Sequence, residues 1–410
     1  MLRFPVAVAF LFLPLFSIAK PAAVPGEYLV KVRSNSIKAL GSFSRQAKAV
    51  VAEDGIYKIS LPNAKAEREF LNSTKQKSSE FEYVEPNYIY SISRMTVNDP
   101  KLKSQWALSN LTSGINIDKA WDISRGSDRI IVAVIDTGID YTHPDLVNNM
   151  WRNEAEANGV IGLDDDDNGY VDDVYGYNFV KKNGNPKDDH NHGTHCAGII
   201  GAGTNNGLGI ASPNWNVSLM GLKFLDAKGS GTSENAILAI DYAIKMKANI
   251  LSNSWGGDGY SKALEAAILR AQAAGILFVA AAGNEANNND KKPFYPAGYK
   301  VGNVISVAAT NSFGSLAGFS NFGVNTVHIA APGENILSTV AGTGYAYMSG
   351  TSMAAPLVSG VAAQVWAYAS GATYAEVRAK VLNGARPVAT LKNKVRTGAT
   401  LDAYRALLAK

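Results

Sequence analysis

Apolar runs of strand length recur from residue 130 onward: IIVAVID at 130–136, VSLMGLKFL at 217–225, NILSNSW at 249–255, ILFVAAAG at 276–283 and VISVAAT at 304–310. Between them, SENAILAIDYAIKMKA (233–248) and SKALEAAILRAQAAG (261–275) carry apolar residues three and four apart, the spacing of amphipathic helices. Strands that are apolar without interruption, rather than alternating, are buried on both faces. Their alternation with helices predicts an α/β fold, an open and mostly parallel sheet with helices on both faces. Functional groups in such folds gather beyond the carboxyl ends of strands. Asp136 and Asn284 stand at two such ends.

The N-terminal part is patterned differently. EYLVKVRS (27–34) and GIYKISLPN (55–63) alternate like half-buried strands, and AEREFLNSTKQ (66–76) has helical spacing. With FEYVEPNYIYSIS at 81–93, these predict a small α+β unit over residues 20–94. The polar, proline-bearing stretch SRMTVNDPKLKSQW marks a boundary, so a second unit runs over 95–410. Ahead of both, residues 1–19 combine an early Arg3, an apolar run and the small-residue pattern Ser17-Ile18-Ala19. That combination predicts a secretory signal peptide and hence an extracellular or periplasmic protein. Later runs fall short of the ~18–20 apolar residues that a spanning helix needs, so no stable membrane anchor is expected.

Composition sharpens this picture in two places. The single cysteine, Cys196, excludes an intramolecular disulfide, so stability must come from packing and bound ions. The net charge of +4 arises from a basic surplus in residues 20–94 and at Arg3. The remainder is near neutral, and no nucleic-acid partner is expected.

Three motifs supply the chemistry: VAVIDTGID around Asp136, HGTHCAG from His192, and GTSMAAP around Ser352. A carboxylate, an imidazole and a hydroxyl are the parts of a nucleophilic triad, and the order Asp, His, Ser is one of its known chain orders. Ser352 opens an apolar helical stretch, where free N–H groups and the helix dipole favour a forming alkoxide. His192 would take its proton and Asp136 would orient the imidazole. Asn284, in VAAAGNE, could donate its amide to an oxyanion beside the Ser352 N–H.

With these residues, the chain resembles the subtilisin-like serine proteases, the subtilases, from about Asp99 onward. The resemblance implies a serine endopeptidase acting on proteins or peptides through an acyl-enzyme. It also implies that the unit at 20–94 is an inhibitory propeptide, chaperone and inhibitor of its own protease, released by self-cleavage between Ser93 and Asp99. Ser254, Trp255 and Gly256 with Ala281, Ala282 and Gly283 would wall the primary specificity pocket, and Gly229, Ser230 and Gly231 would form the neighbouring edge. Phe294 stands near the pocket base, where the best-known members carry glycine. Cys196 resembles the cysteine of the proteinase K branch, and a monomer is expected.

The acidic run LDDDDNGYVDDVYG adds a candidate metal site. Asp164, Asp166 and Asn168 alternate, Gly169 follows, and Tyr170 and Asp172 continue the series, the start of an EF-hand-like loop without its terminal Glu. Structural Ca²⁺ is therefore expected there. Asp145 matches a calcium ligand of many subtilases, but its partner loop GTNNGLGIASP is shorter than theirs. Two other readings remain: a metallohydrolase using His190, His192 and His195, and a binding scaffold without activity. The first leaves GTSMAAP and AAGNE without a role.

Overall fold

The computed structural model describes residues 23–34, 36–89 and 97–410. The signal segment at 1–19, and residues 93–96 of the expected cleavage stretch, lie outside the described residues. The chain divides into two compact units, Met1–Met95 and Thr96–Lys410.

The first unit is a four-stranded antiparallel sheet in the order β2-β3-β1-β4, with one long helix, Ala64–Gln76. Its strands are β1 (Ala23–Val32), β2 (Ala47–Val51), β3 (Ile56–Ser60) and β4 (Phe81–Tyr88). Val30 and Val32 on β1, with Tyr57 and Ile59 on β3, share one pleat face and bury it with Phe70 of the helix. Asn63 starts that helix by accepting the N–H groups of Lys65 and Ala66 at 3.1 and 3.0 Å. Strand β2 was not legible in the sequence, because it is an edge strand with almost every position exposed.

The second unit is built on a nine-stranded sheet, β14-β15-β11-β10-β9-β8-β5-β7-β6. Its central members are β5 (Gly126–Asp136), β6 (Gly176–Asn178), β7 (Asn216–Lys223), β8 (Ile250–Asn253), β9 (Leu277–Ala281), β10 (Val304–Thr310) and β11 (Ile329–Pro332), all parallel. A hairpin, β12 (Ile336–Val340) with β13 (Gly344–Met348), stands apart, and β14 (Arg386–Pro387) and β15 (Ala399–Thr400) close one edge. Side chains of β5 alternate between two cores: Val132 and Val134 face one, Ala133 and Ile135 the other. Both faces are thus covered, which is why these strands read as unbroken apolar runs.

Helices Ser233–Lys245 and Lys262–Ala273 cover one face, each started by a hydroxyl cap, Thr232 and Ser261. Helices His192–Gly201 and Thr351–Tyr368 cover the other. The Thr351–Tyr368 helix is apolar all round and buried from Met353 to Trp366, so it runs through the core and not over the surface. Its Gly360 meets the Ile200 carbonyl so closely that an added Cβ would lie 3.2 Å from the oxygen.

From β5 the chain passes to β7 on one side and later to β8 on the other. The strand order therefore reverses at β5, and the crevice beyond its carboxyl end is the expected ligand position of an open sheet. Asp136 is the last residue of β5.

The hairpin is fastened to the His192–Gly201 helix by two buried hydroxyls: Ser338 Oγ donates to the His195 carbonyl at 2.7 Å, and Thr339 Oγ1 to that of Thr194 at 2.8 Å. A Cβ at Gly198 would fall 2.3 and 2.4 Å from those oxygens. Gly198→Val, placed in a Ser352→Ala chain, is expected to lower stability by roughly 1–3 kcal/mol, seen as a lower urea midpoint with an unchanged slope.

Candidate active site

The Asp136 carboxylate is fully buried, 0% exposed. Its Oδ1 accepts the Thr137 N–H at 2.7 Å and lies 2.7 Å from His192 Nδ1. Oδ2 has no partner among the described residues. Gly138 (φ +104°) and Gly193 let the turn after β5 lie against the helix start: a Cβ on Gly193 would sit 2.1 Å from the Gly138 carbonyl oxygen. With Nδ1–H directed at the carboxylate, the neutral His192 ring leaves Nε2 as its basic nitrogen. Burial pulls the His192 pKa down, but the Asp136 charge and hydrogen bond outweigh it, and the net shift is upward.

The His192 helix is seated by residues that the motifs did not reveal. Asp188 accepts the N–H groups of His190 and Asn191 through Oδ1, and the N–H and hydroxyl of Thr194 through Oδ2. Thr137 Oγ1 donates to Asp188 at 2.9 Å and accepts the Gly193 N–H at 2.9 Å. Of the otherwise unpaired N–H groups at the helix start, that of Gly193 is taken by the Thr137 hydroxyl and that of Thr194 by the Asp188 anion at the helix's positive end. Lys223, 1% exposed, donates to the carbonyls of Thr137 and Leu225 and to Asp189 Oδ1, which uses all three of its protons. The signal that could have marked Asp188 is an acidic residue shortly before a helix start.

Ser352 occupies the first turn of its helix. At rest its Oγ donates to the Ser254 carbonyl at 3.0 Å, while Ser254 Oγ donates back to the Ser352 carbonyl at 2.9 Å. Cys196 ties Ser352 to the carboxylate–imidazole pair: its Sγ donates to the Ser352 carbonyl at 3.4 Å and lies within 4.8 Å of ligand atoms on Asp136 and His192. Burial holds the Cys196 thiol well above its ordinary pKa, so it stays protonated and is no nucleophile.

Asn284 Oδ1 accepts both the N–H and the hydroxyl of Thr351, at 2.8 and 3.0 Å. This fixes which side of the amide faces away, and Nδ2 is free to donate. A point at the Cβ position of Gly350 lies 3.5 Å from Ser352 N and 3.6 Å from Asn284 Nδ2, so both nitrogens border one small volume.

The expected substrate residues divide. Gly229, Ser230, Gly231, Trp255 and Gly256 line one cavity of about 420 Å³. Ser254 lies beside Ser352, as above. Ala281, Ala282 and Gly283 are buried behind the site, and the Gly283 N–H donates to Thr351 Oγ1 at 3.1 Å. The Phe294 ring is seated on Gly256, with Cε1 2.3 Å from where a Cβ would stand. The three histidines do not converge: His195 Nε2 bonds the Ala346 carbonyl at 3.0 Å, and His190 lies under Gly229. No three-histidine group exists among the described residues.

The acidic loop brings part of the expected ligand set together. Asp164 and Asp166 do come together, but with Glu156, their oxygens all within 4.8 Å of one another. Asn168 turns inward, its Nδ2 on Asp173 at 2.9 Å and its Oδ1 on the Tyr170 N–H at 2.7 Å. The Tyr170 ring packs against Tyr177 and Tyr242, and Asp172 accepts the Gly162 N–H. The cause is Asp173, fully buried and in need of donors, which it takes from Asn168, Asn153 and the Tyr242 hydroxyl. Burial pushes the Glu156 carboxyl up, with the charges of Asp173 and Asp165 adding to it. An all-carboxylate oxygen set of this kind fits a hard cation. Asp145 accepts hydrogen bonds from Asn206, Ile210 and Tyr345.

A parallel α/β sheet with Asp136 and His192 paired at its switch point, and Ser352 at an adjoining helix start, defines the subtilisin class of serine peptidase folds. Residues 127–401 match the subtilase family, and the chain belongs to it. It is 41% identical over 283 residues to the thermophilic serine proteinase of Bacillus sp. (strain AK1), covering 69% of this chain and 62% of that protein. It is 34% identical to subtilisin-like protease 1 of Plasmodium berghei (strain Anka), covering 76% and 54%. The chain thus spans less than two thirds of the length of these relatives. Among solved structures it is similar to one of the proteases from Pseudoalteromonas arctica, with a TM-score of 0.63 at 28% identity over 77% of this chain and 99% of that one.

The two imidazoles of this helix, His192 half-buried and His195 fully buried, should titrate apart. His195 is pushed down to about 4 by burial, whereas His192 is held above the usual range by Asp136. In NMR titrations of the Ser352→Ala chain, the His192 signals are expected to move above the ordinary histidine midpoint of about 6.5 and those of His195 well below it. Asp136→Asn should bring the His192 midpoint down.

Proposed function

We propose that this protein is an exported serine endopeptidase, made as an inhibited precursor, that hydrolyses peptide bonds through an acyl-enzyme on Ser352. The observation that carries this reading is that Ser352 N and Asn284 Nδ2 border one small volume, in a chain whose His192 is paired through Nδ1 with Asp136 and so keeps a basic Nε2. In the reaction, the Ser352 hydroxyl leaves the Ser254 carbonyl and attacks the substrate carbonyl carbon. His192 Nε2 takes its proton, and Asp136 stabilises the imidazolium. The oxyanion is held by the Ser352 N–H and Asn284 Nδ2. His192 then gives the proton to the leaving amine, and a water, activated by the same nitrogen, releases the acyl group.

The substrate lies extended along the backbone of Gly229–Gly231, adding a strand. The small residues there leave room for a peptide main chain, and the cavity walled by Trp255 receives one of its side chains. The unit at 23–89 acts as chaperone and inhibitor until the chain cuts itself between Ser93 and Asp99. Export is read from the opening segment, with its early arginine, apolar run and small-residue end. No described helix is long and apolar enough to cross a membrane.

Ca²⁺ is held by Glu156, Asp164 and Asp166, where three clustered carboxylates would otherwise repel. It fixes the loop that follows the helix Glu154–Asn158 and takes no part in the chemistry.

A fluorophosphonate probe tests the reading, since it reports a serine activated by both its base and its oxyanion donors. The mature protein is expected to label and Ser352→Ala not to. Asn284→Ala should label slowly and lose roughly 100- to 1,000-fold in kcat, the magnitude known for such a donor in subtilisin. Folded, calcium-loaded protein freed of residues 1–94 that failed to label would overturn the proposal in favour of a binding scaffold.

The calcium assignment has a separate check. In the Ser352→Ala chain, Ca²⁺ at about a hundredfold excess over Kd should add about 3 kcal/mol of stability, lost on chelation. The double variant Glu156→Gln, Asp164→Asn should melt at the same temperature with and without chelator.

A further inference from the structure

The amino ends of β10 and β11, opposite the end that carries Asp136, border a second cavity of very different chemistry. It measures about 280 Å³, and its walls include Tyr299, Lys300, Thr326, His328, Arg378 and Arg396. Val304 opens β10 and His328 directly precedes β11, so the pocket is anchored in the sheet itself. Arg378 comes from the helix Tyr374–Asn383, and Arg396 from the loop before β15.

His328 is 7% exposed. Its Nδ1 accepts the Ser306 N–H at 3.0 Å, so the neutral ring carries its proton on Nε2. That N–H has no partner among the described residues, in a ring that forms part of the cavity wall. Burial and the charges of Arg378 and Arg396 push the ring down to about 3, so it remains a neutral donor.

Arg378 is half-buried and donates Nε to the Val304 carbonyl at 3.1 Å, leaving both terminal nitrogens free. Arg396 donates one nitrogen to the Asn325 carbonyl. Neither arginine, nor Lys300, forms an ion pair among the described residues. Burial and the charge of Arg396 together hold the Arg378 guanidinium below its ordinary pKa. The nearby carboxylate of Asp290 is committed to Asn325 and Thr326, whose N–H groups and hydroxyl it accepts.

Two guanidiniums and an ammonium around one concavity, against the single nearby carboxylate of Asp290, leave a positive surplus there that focuses a field into it. A carboxylate would satisfy one guanidinium edge-on, in a plane. Two guanidiniums and an ammonium from separate segments, with an imidazole N–H at the base, surround a tetrahedral anion better. We propose that this cavity binds a phosphate- or sulfate-type oxyanion, free or as a monoester.

Calorimetric titration of the full Ser352→Ala chain with sodium sulfate, at ionic strength held constant with sodium chloride, tests this. Saturable one-to-one binding is expected, with a raised melting temperature. Arg378→Gln and Arg396→Gln should each weaken it roughly tenfold or more, the scale of one lost charge-assisted hydrogen bond. Arg378→Lys should retain part of the affinity. Competition by glycerol phosphate would identify a monoester site, and its failure a site for the free ion. A response that chloride reproduces, acetate binding as tightly as sulfate, or sulfate binding unchanged in both arginine variants would each overturn the proposal. Arg396 is exposed, so its variant keeps the test open should Arg378→Gln not fold.

Discussion

The structure depends on one carboxylate, that of Asp136, buried completely in its interior. Moving a carboxylate out of water costs several kcal/mol even after relaxation, and one Asp136 oxygen has no hydrogen-bond partner among the described residues. What sustains it is the Thr137 N–H and the His192 ring, both 2.7 Å from the other oxygen. A buried anion of this kind is useful because it is under-satisfied: the interaction with an imidazolium is stronger than with the neutral ring. The strain of the resting state is thus relieved at the moment His192 accepts a proton.

That requirement explains the density of polar groups just behind the site. Asp188, Thr137, Asp189 and Lys223 form a closed set in which the lysine protons and most of the carboxylate lone pairs are used. None of them reaches the reacting atoms. Their work is to hold the turn after β5 and the first turn of the His192 helix at a fixed separation, so that the Asp136–His192 bond neither stretches nor admits water. The two glycines at this contact serve the same end, since any side chain there would push the backbones apart.

Much of this was legible in the sequence, for a physical reason. The parallel strands announce themselves because burial on both faces leaves no polar position to break the run, as in β5 and β9. The motifs around Asp136, His192 and Ser352 are legible because each joins a reactive side chain to the small residues that its tight surroundings demand. Asp188 and Lys223 were not, because their roles come from partners far along the chain or from a loop whose path only the fold decides. The same holds for Glu156, which a short helix carries back to Asp164 and Asp166. The alternation of Asp164, Asp166 and Asn168 suggested ligands, but it could not show that the Asn168 amide bonds the buried Asp173.

The two ends of the parallel sheet illustrate how one scaffold separates opposite electrostatic tasks. At the carboxyl ends, the buried charge is negative and is opposed by a single titratable ring. At the amino ends of β10 and β11, the charges are positive, and the ring between them is kept neutral by its burial first and by those charges in addition. Burial lowers both imidazoles; beside Asp136 the carboxylate outweighs it, whereas beside Arg378 and Arg396 the charges add to it. The rigidity of the intervening strands is what allows both. Neither cluster can relax toward the other, so each keeps a charge that only a ligand, a proton in one case and an anion in the other, can balance.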